Sequence, residues 1–278
     1  MLLRKHESLS ALQTRARAIR RTVLAMGQAQ GRGYVGQGLE IADLLAALYF
    51  SEMRFDPTHL DAPERDRFVL STGHMGIGLL ATLGECGVLD KAELLTYGQP
   101  GSRIEESPLY GHCPGFEITG GSLGMGLSQA IGMALGERLH GHSSRIYCML
   151  SDGELQEGAT WEAALSAAHY RLDTLVALVD VNGIQADGNT ADVLDVEPIV
   201  AKWQAFNWHA LSIDGHDLTA ILAAFDEARA HHGQPTALIC ATTPCKGVPS
   251  LEQRPRVHYL RLAPEEWAAA ISEFEVQV

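Results

Sequence analysis

Apolar and polar positions along the chain alternate between helix-like and strand-like segments. Near the start, apolar residues recur at intervals of four and three, which predicts an amphipathic helix. The residues are Leu12, Ala16, Ile19, Val23 and Met26. Short apolar runs at residues 68–70, 145–150, 175–179, 208–213 and 237–241 have the length and composition of buried strands. Stretches such as 79–97 and 193–206 are predicted to be helical cover.

The clearest unit is a strand, a crossover helix and a second strand between residues 145 and 182. The run RIYCML at 145–150 is followed by a helical stretch and then by the run LVALV at 175–179. Two strands joined by a crossover helix lie parallel in one sheet. We therefore predict an α/β fold, a doubly wound and mostly parallel sheet with helices on both faces, formed by a single domain over 1–278.

Each strand of this unit ends on a small polar residue, Asp152 after the first and Asn182 after the second. Open α/β sheets bind ligands at the carboxyl ends of their strands. Carboxylate, carboxamide and carbonyl oxygens suit Mg²⁺ or Ca²⁺ rather than zinc. Gly153 has no Cβ, so a diphosphate could approach the backbone there. An ordinary strand–helix–strand unit with polar surface turns would show the same spacing.

Composition limits the possible partners. The 278 residues are 46% hydrophobic and carry a formal net charge of −13, which argues against a nucleic-acid or anionic-membrane partner. The longest apolar runs are far shorter than a membrane span, and MLLRKHESLS lacks the apolar core of a signal peptide. Five cysteines without a CxxC pair favour a cytoplasmic protein with reduced thiols.

Two short motifs suggest other functions. Residues 31–36 match G-x-G-x-x-G, but a helix precedes them instead of the strand that a dinucleotide site needs. Gly120-x-Ser122-x-Gly124 matches the nucleophile elbow of serine hydrolases, which needs a full buried strand before it. Only a short stretch, Phe116 to Thr119, is available for that strand. A serine hydrolase that uses Ser122 is therefore a distant alternative.

The segment from 151 to 188 resembles the thiamine diphosphate motif, GDG followed about thirty residues later by asparagine. Within that class the letters ELQEG, WEA, AAH and QADG are similar to those of the transketolase family. The departures are Ser151 for the first glycine, Thr174 and Val181. The resemblance implies a thiamine diphosphate-binding fold. It also implies that Asp152, the Asn182 side chain and the Ile184 carbonyl bind Mg²⁺, with Gly153 and Asn182 near the diphosphate.

Other segments of the chain carry the same resemblance, which extends from residue 12 to residue 258. SxGH implies that His74 contacts the diphosphate and substrate, and GGSLGMG implies that Gly121 and Leu123 touch the cofactor rings. His258 corresponds to a late family histidine with a diphosphate or substrate role. Gly111-His112-Cys113-Pro114 resembles the GHP segment less closely, because its alignment needs a deletion. His74, His112 and His258 are therefore the candidate catalytic residues.

The resemblance has departures where the substrate would lie. The glycine-rich segment before ADLL carries Tyr34 and Val35 in place of the family's histidine and proline. Tyr34 either replaces the hydrogen bond of that histidine or is a packing residue, and an identical substrate is in doubt. Tyr259 stands in place of a family glycine. His216, in the segment DGHD, is predicted to be a turn or cap residue.

No segment resembles the transketolase domain that carries the glutamate for cofactor activation. We therefore expect the N-terminal subunit of a split transketolase, active with a separate C-terminal subunit that carries the pyrimidine-binding domain, in an α2β2 assembly. Such an enzyme would use thiamine diphosphate and Mg²⁺ to move a two-carbon ketol unit between sugars or sugar phosphates. The alternative is half of another thiamine enzyme, a 2-oxo acid dehydrogenase E1 or a deoxyxylulose phosphate synthase-like protein.

Overall fold

The protein was analysed as a computed structural model that describes residues 4–277. Residues 1–3 and 278 lie outside the described residues. The single domain predicted over 1–278 includes these positions, and the segment predicted to lack a signal-peptide core includes residues 1–3. None of the helices within the described part is both long and apolar enough to cross a membrane.

Nine strands are present among residues 4–277. They are β1 (Arg32–Gly33), β2 (Arg67–Leu70), β3 (Ile146–Ser151), β4 (Leu175–Val181), β5 (Ile184–Gln185), β6 (Gly188–Asn189), β7 (His209–Asp214), β8 (Thr236–Ala241) and β9 (Leu260–Arg261). Five of them form a parallel sheet in the order β2-β3-β4-β8-β7. The others form the antiparallel pairs β1–β9 and β5–β6.

Twelve α-helices connect and cover these strands in the same part of the chain. They are α1 (Leu9–Gln30), α2 (Val35–Glu40), α3 (Ala42–Ala47), α4 (Gly76–Glu85), α5 (Lys91–Leu94), α6 (Gly126–Leu139), α7 (Gly158–His169), α8 (Thr190–Leu194), α9 (Ile199–Ala205), α10 (Leu218–Ala230), α11 (Pro249–Glu252) and α12 (Pro264–Val276). A π-helical turn at Leu48–Glu52 and 3-10 turns at Gly73–Met75 and Gly153–Gln156 complete the helical segments.

The sheet is buried on both faces. In β3, Tyr147 and Met149 pack into a layer that includes residues of α1, α3, α4 and α10, whereas Cys148 and Leu150 pack into a second layer with α6, α7 and α9. Successive side chains of a strand point to opposite faces, so a strand covered on both sides must be apolar at nearly every position. The predicted doubly wound α/β fold is confirmed.

The predicted helices need two corrections. The stretch 193–206 is not one helix, because α8 ends at Leu194 and α9 begins at Ile199, with Pro198 as its N-cap residue. A residue that precedes proline is disfavoured in the α-helical region, which explains the break. The stretch 79–97 is also interrupted, because Gly87 has φ +82° and Asp90 caps a new helix through its side chain.

Candidate active site

The polar ends of β3 and β4 lie side by side. The two strands are parallel neighbours with Ser151 opposite Asp180, and the Asp152 backbone N–H donates to the Asp180 carbonyl at 2.8 Å. This register carries Asp152 and the turn after β4 to the same edge of the sheet. The structure therefore places Asp152 and Asn182 at the same edge of the sheet, as the sequence predicts.

Asp152 is held by groups of its own turn and of the neighbouring one. Its Oδ1 accepts from the Gly153 backbone N–H at 2.7 Å, and its Oδ2 accepts from the Gly183 N–H at 2.9 Å and the Thr190 hydroxyl at 3.1 Å. The residue is only 2% exposed, and burial raises the pKa of its carboxyl despite these hydrogen bonds. The carboxylate is fixed in position and partly desolvated.

The Asn182 carboxamide has one defined orientation. Its Nδ2 donates to Glu40 Oε1 at 2.9 Å and to Asp180 Oδ2 at 3.2 Å, while its Oδ1 accepts from the Ile184 N–H at 2.9 Å. Both hydrogens of the amide are used, and the carbonyl oxygen keeps a second lone pair. The amide oxygen can therefore act as a ligand without losing its internal hydrogen bond.

Glu40 and Asp180 form a carboxyl pair beneath Asn182. Both are fully buried, and burial together with the Asp180 charge raises the pKa of Glu40 well above its usual range. Burial also raises the pKa of Asp180 to about 7, although the Thr242 hydroxyl donates to it at 2.6 Å. Burial therefore favours the protonated form of both carboxyl groups.

The oxygen donors at this edge fit a hard divalent cation. Asp152 offers a carboxylate, Asn182 an amide oxygen, and Ile184 lies in the same turn with its carbonyl. Within residues 4–277 no three His, Cys, Asp or Glu side chains are arranged to hold a metal. A cation here would need this mixed donor set, completed by water or by phosphate oxygens of a bound cofactor.

A small cleft of about 120 Å³ opens beside these groups. Six predicted site residues line it: His74, Leu123, Gly153, Asn182, Ile184 and His258. A Cβ placed on Gly153 would meet Gln185 at 3.6 Å, so the missing side chain leaves the backbone accessible from the cleft. These residues come from five separate segments of the chain, and the fold brings them together.

The two histidines of the cleft are neighbours and are neutral at physiological pH. Their ring centroids are 5.3 Å apart. Burial and the nearby His258 lower the pKa of His74 to about 4, and burial also lowers the pKa of His258. The buried Gln37 Nε2 lies 3.1 Å from His258 Nδ1 and donates to it, which leaves the proton of that neutral ring on Nε2.

The loop that carries Gly121 and Leu123 is held by a second buried carboxyl group. Gly121 has φ +107°, and its N–H donates to the Ser71 carbonyl at 2.9 Å. Glu154 is fully buried; its Oε1 accepts from the Gly124 N–H at 2.6 Å and from the Ser71 hydroxyl. The loop is thus tied to the end of β2 and to the turn after β3.

One of the three predicted catalytic histidines, His112, lies away from the cleft. His112 lies with Arg65, Arg67 and Arg103 in a separate open depression, and its side chain is 57% exposed. Its catalytic role stays a prediction that the geometry does not support.

The serine hydrolase alternative lacks its structural requirement. Ser122 follows a loop, and no strand occurs between the end of β2 at Leu70 and the start of α6 at Gly126, all of them described residues. The nucleophile elbow is a strand-to-helix turn. Ser122 is therefore not held as a hydrolase nucleophile would be.

Tyr34 and Tyr259 form an aromatic wall beside the histidines. The antiparallel pair β1–β9 sets Gly33 opposite Leu260, so Tyr34 and Tyr259 are the next positions in register. Their rings meet edge to face with centroids 4.9 Å apart, and the Tyr259 hydroxyl donates to Glu106 at 3.0 Å. The Tyr34 ring lies 5.5 Å from His74 and 5.7 Å from His258. Tyr34 is thus part of the histidine cluster.

His216 lies in the turn between β7 and α10, as the sequence suggests, but it does not cap the helix. Asp217 caps α10, whereas His216 Nδ1 lies 3.0 Å from Asp43 Oδ2 and its Nε2 accepts from the Thr243 N–H at 2.9 Å. Asp43 also pairs with the buried Arg20. This network joins the loop after β8 to α1 and α3, and His216 therefore has a structural role.

Sequence reasoning missed Glu40, Gln37 and Glu154. Glu40 had a recognisable signal, because it is a charged residue inside the apolar run Leu39-Glu40-Ile41-Ala42, and charged residues are rarely fully buried without a partner. Its partner could not be named, since Asn182 is 142 residues away in sequence.

The fold and the site define a class of protein. This is an α/β domain in which a carboxylate and an amide lie at neighbouring parallel strand ends, beside a small cleft lined by two neutral histidines. Such a donor set suits a divalent cation that anchors a phosphorylated cofactor.

Comparison with known proteins identifies the family. The family model described as the thiamine diphosphate binding domain of transketolase matches residues 12–277, and the chain belongs to the transketolase family, whose named members are transferases. Thiamine diphosphate is the cofactor that this domain family binds. The predicted resemblance is confirmed, and the match favours it over the other thiamine enzymes that we considered.

The chain is 50% identical over 262 residues to y4mO, a transketolase family protein of Sinorhizobium fredii, with 94% of each chain covered. It is 40% identical to the 6-deoxy-6-sulfo-D-fructose transketolase subunit SqwG of a Clostridium species, covering 95% of this chain and 96% of that protein. The crystal structure of Campylobacter jejuni transketolase superposes with a TM-score of 0.88 at 29% identity, covering 97% of this chain. The chain spans 43% of that enzyme.

Proposed function

We propose that this chain is the N-terminal, pyrophosphate-binding subunit of a two-chain transketolase that uses thiamine diphosphate and Mg²⁺. The observation that carries the proposal is the meeting of Asp152, Asn182 and Ile184 at neighbouring strand ends, beside His74 and His258. The proposed reaction transfers a two-carbon ketol unit from a ketose, often phosphorylated, to an aldose.

The strand ends would hold the metal and the cofactor tail. The Asp152 carboxylate, the Asn182 amide oxygen and the Ile184 carbonyl would bind Mg²⁺, and the backbone at Gly153 would face the diphosphate. Bound thiamine diphosphate would supply the carbon nucleophile and the electron sink of the reaction. The hydrogen bonds around Asp152 keep its carboxylate in place before the cation arrives, which lowers the cost of binding.

The other predicted residues would bind the remaining parts of the site. Gly121 and Leu123 lie on a loop held by Glu154 and would touch the cofactor rings. His74 and His258 are neutral near pH 7, so each can donate one N–H to a phosphate or sugar oxygen without adding charge. His258 presents this donor on Nε2, because Gln37 occupies Nδ1.

A second polypeptide completes the proposed enzyme. The support is the relative named as a transketolase subunit, which this chain matches over 96% of that protein's length. An α2β2 assembly would supply two such sites. We also propose a cytoplasmic location, which fits the five free cysteines at Cys86, Cys113, Cys148, Cys240 and Cys245.

Reconstitution tests the two-chain enzyme. The purified chain alone should give little or no ketol transfer, and its partner subunit with thiamine diphosphate and MgCl₂ should restore transfer on a panel of ketoses and aldoses. Robust transfer by the lone chain would refute the two-chain proposal. Release of carbon dioxide from a 2-oxo acid, without ketol transfer, would favour another thiamine enzyme.

Asp152→Ala tests the metal site. In the assembled enzyme, this substitution should abolish Mg²⁺-dependent binding of thiamine diphosphate, measured by calorimetry, because it removes the only charged oxygen of the proposed donor set. Asp61→Ala is the matched control, since Asp61 is exposed and lines the separate depression that contains His112. Unchanged affinity in the Asp152 variant would contradict the ligand assignment.

A further inference from the structure

A buried carboxyl group lies under the proposed cation site and belongs to none of the predicted donors. Glu40 is the last residue of α2 and is 0% exposed. Its Oε1 accepts from Asn182 Nδ2 at 2.9 Å, and among residues 4–277 its Oε2 has no hydrogen-bond partner. Burying a carboxyl group is costly unless each oxygen is satisfied, so this arrangement needs a reason.

The hydrogen bonds of Glu40 determine which way the Asn182 carboxamide points. If the amide were turned over, its oxygen would face Glu40 and Asp180, and its NH₂ group would face the Ile184 N–H. This second arrangement sets acceptor against acceptor at Glu40 Oε1 and donor against donor at the Ile184 N–H, so both groups select against it. The observed orientation satisfies every group and leaves the amide oxygen on the side of the Asn182–Ile184 turn.

We infer that Glu40 is a positioning residue for the cation site: it holds Asn182 so that the amide oxygen, and not the NH₂ group, is available as a ligand. Asp180 makes a longer contact with the same amide at 3.2 Å, so it supports this orientation but does not replace Glu40. Residues that orient metal ligands in this way typically contribute 10- to 100-fold to metal affinity. This inference rests on the proposed function.

Two substitutions separate positioning from simple structural support. Glu40→Gln keeps an oxygen that can accept from Asn182 and adds an NH₂ group that can donate to Asp180. Glu40→Leu fills similar space but leaves Asn182 with only the Asp180 contact. Replacing buried charged or polar groups by apolar residues of similar volume is often neutral for stability. The Leu variant can therefore lose metal affinity without losing its fold.

The experiment titrates MgCl₂ into the full chain assembled with its partner subunit, in the presence of excess thiamine diphosphate, with calorimetric detection. Glu40→Leu should weaken Mg²⁺ binding 10- to 100-fold, while Glu40→Gln stays within about threefold of the wild type. The melting temperatures of the cofactor-free wild type and of both variants should lie within a few degrees of one another. A merely structural role of Glu40 would instead lower the melting temperature together with the Mg²⁺ affinity.

Two results would overturn the inference while leaving the proposed function intact. One is equal Mg²⁺ affinity in the wild type and in Glu40→Leu. The other is a parallel loss of affinity and melting temperature in both variants, which would assign Glu40 a structural role. Absence of Mg²⁺-dependent cofactor binding in the wild type, in contrast, would refute the proposed function and the inference together.

Discussion

The buried Glu154 leads to a quantitative prediction about stability and pH. Its Oε1 accepts from the Gly124 N–H at 2.6 Å and from the Ser71 hydroxyl, whereas its Oε2 has no hydrogen-bond partner among residues 4–277. Burial raises the pKa of Glu154 from 4.5 to about 7, because the desolvation of the charged form outweighs these hydrogen bonds. The nearby Glu157 acts in the same direction.

The sign and size of the effect follow from the two pKa values. Between pH 4.5 and about 7 the unfolded chain has lost this proton and the folded chain still keeps it. The contribution of Glu154 to stability is therefore fully present below pH 4.5 and is lost as the pH rises through 7. At about 1.36 kcal/mol per pH unit, the loss is about 3 kcal/mol.

The substitution Glu154→Gln removes this titration. Glutamine is neutral at every pH and keeps the oxygen that accepts from Gly124. The free energy of unfolding in urea, measured on the cofactor-free chain, should exceed that of the wild type by only about 1 kcal/mol at pH 5 and by about 3 kcal/mol at pH 8. Glu157→Gln is the control, because it removes the same charge from an exposed position three residues away.

Other titrating groups, including the Glu40–Asp180 pair, remain in both proteins and cancel in the comparison. If the difference between Glu154→Gln and the wild type is the same at pH 5 and pH 8, burial does not raise the pKa of Glu154 and the reasoning is refuted. If Glu157→Gln shows the same pH dependence, the effect comes from the general loss of negative charge.

Three further predictions address packing, substrate choice and protonation. Gly126→Ala should lower the melting temperature by several degrees, because a Cβ there would lie 2.3 Å from the Ser71 Cβ, whereas Gly132→Ala, with nothing within 4 Å, should stabilise the same helix by about 1 kcal/mol. Tyr34→His should change the KM for ketoses at least threefold in steady-state assays and leave thiamine diphosphate affinity unchanged. In an NMR titration His74 should stay neutral down to about pH 5, because burial lowers its pKa to about 4.

The sheet and its polar edge could be predicted because both depend on local patterns. Five short apolar runs separated by helical stretches define parallel strands, and parallel strands bring their carboxyl ends to one edge. The meeting of Asp152 and Asn182 follows from this rule together with the single crossover helix between them. Their surroundings, the donors Gly183 and Thr190, lie within the same stretch of sequence.

The contacts between distant segments could not be predicted. Whether His112 reaches the cleft depends on the path of a loop from 98 to 125 that has no strand to fix its register. The pairing of Glu40 with Asn182 depends on how α2 packs against the end of β4. Neither periodicity nor spacing carries this information, since it arises only when the layers of the fold assemble.

Tyr34, where the chain departs from the transketolase family, directly precedes α2, and two residues of that helix also contact site residues. Tyr34, Gln37 and Glu40 are spaced by three residues, which places them along one side of the helix. Tyr34 packs against both histidines, Gln37 donates to His258, and Glu40 accepts from Asn182. One short helix therefore touches both the proposed substrate end and the proposed cation end of the cleft. The contacts at the two ends are made by different side chains, so a substitution of Tyr34 that keeps the helix in place changes the proposed substrate end and leaves the Glu40–Asn182 hydrogen bond intact.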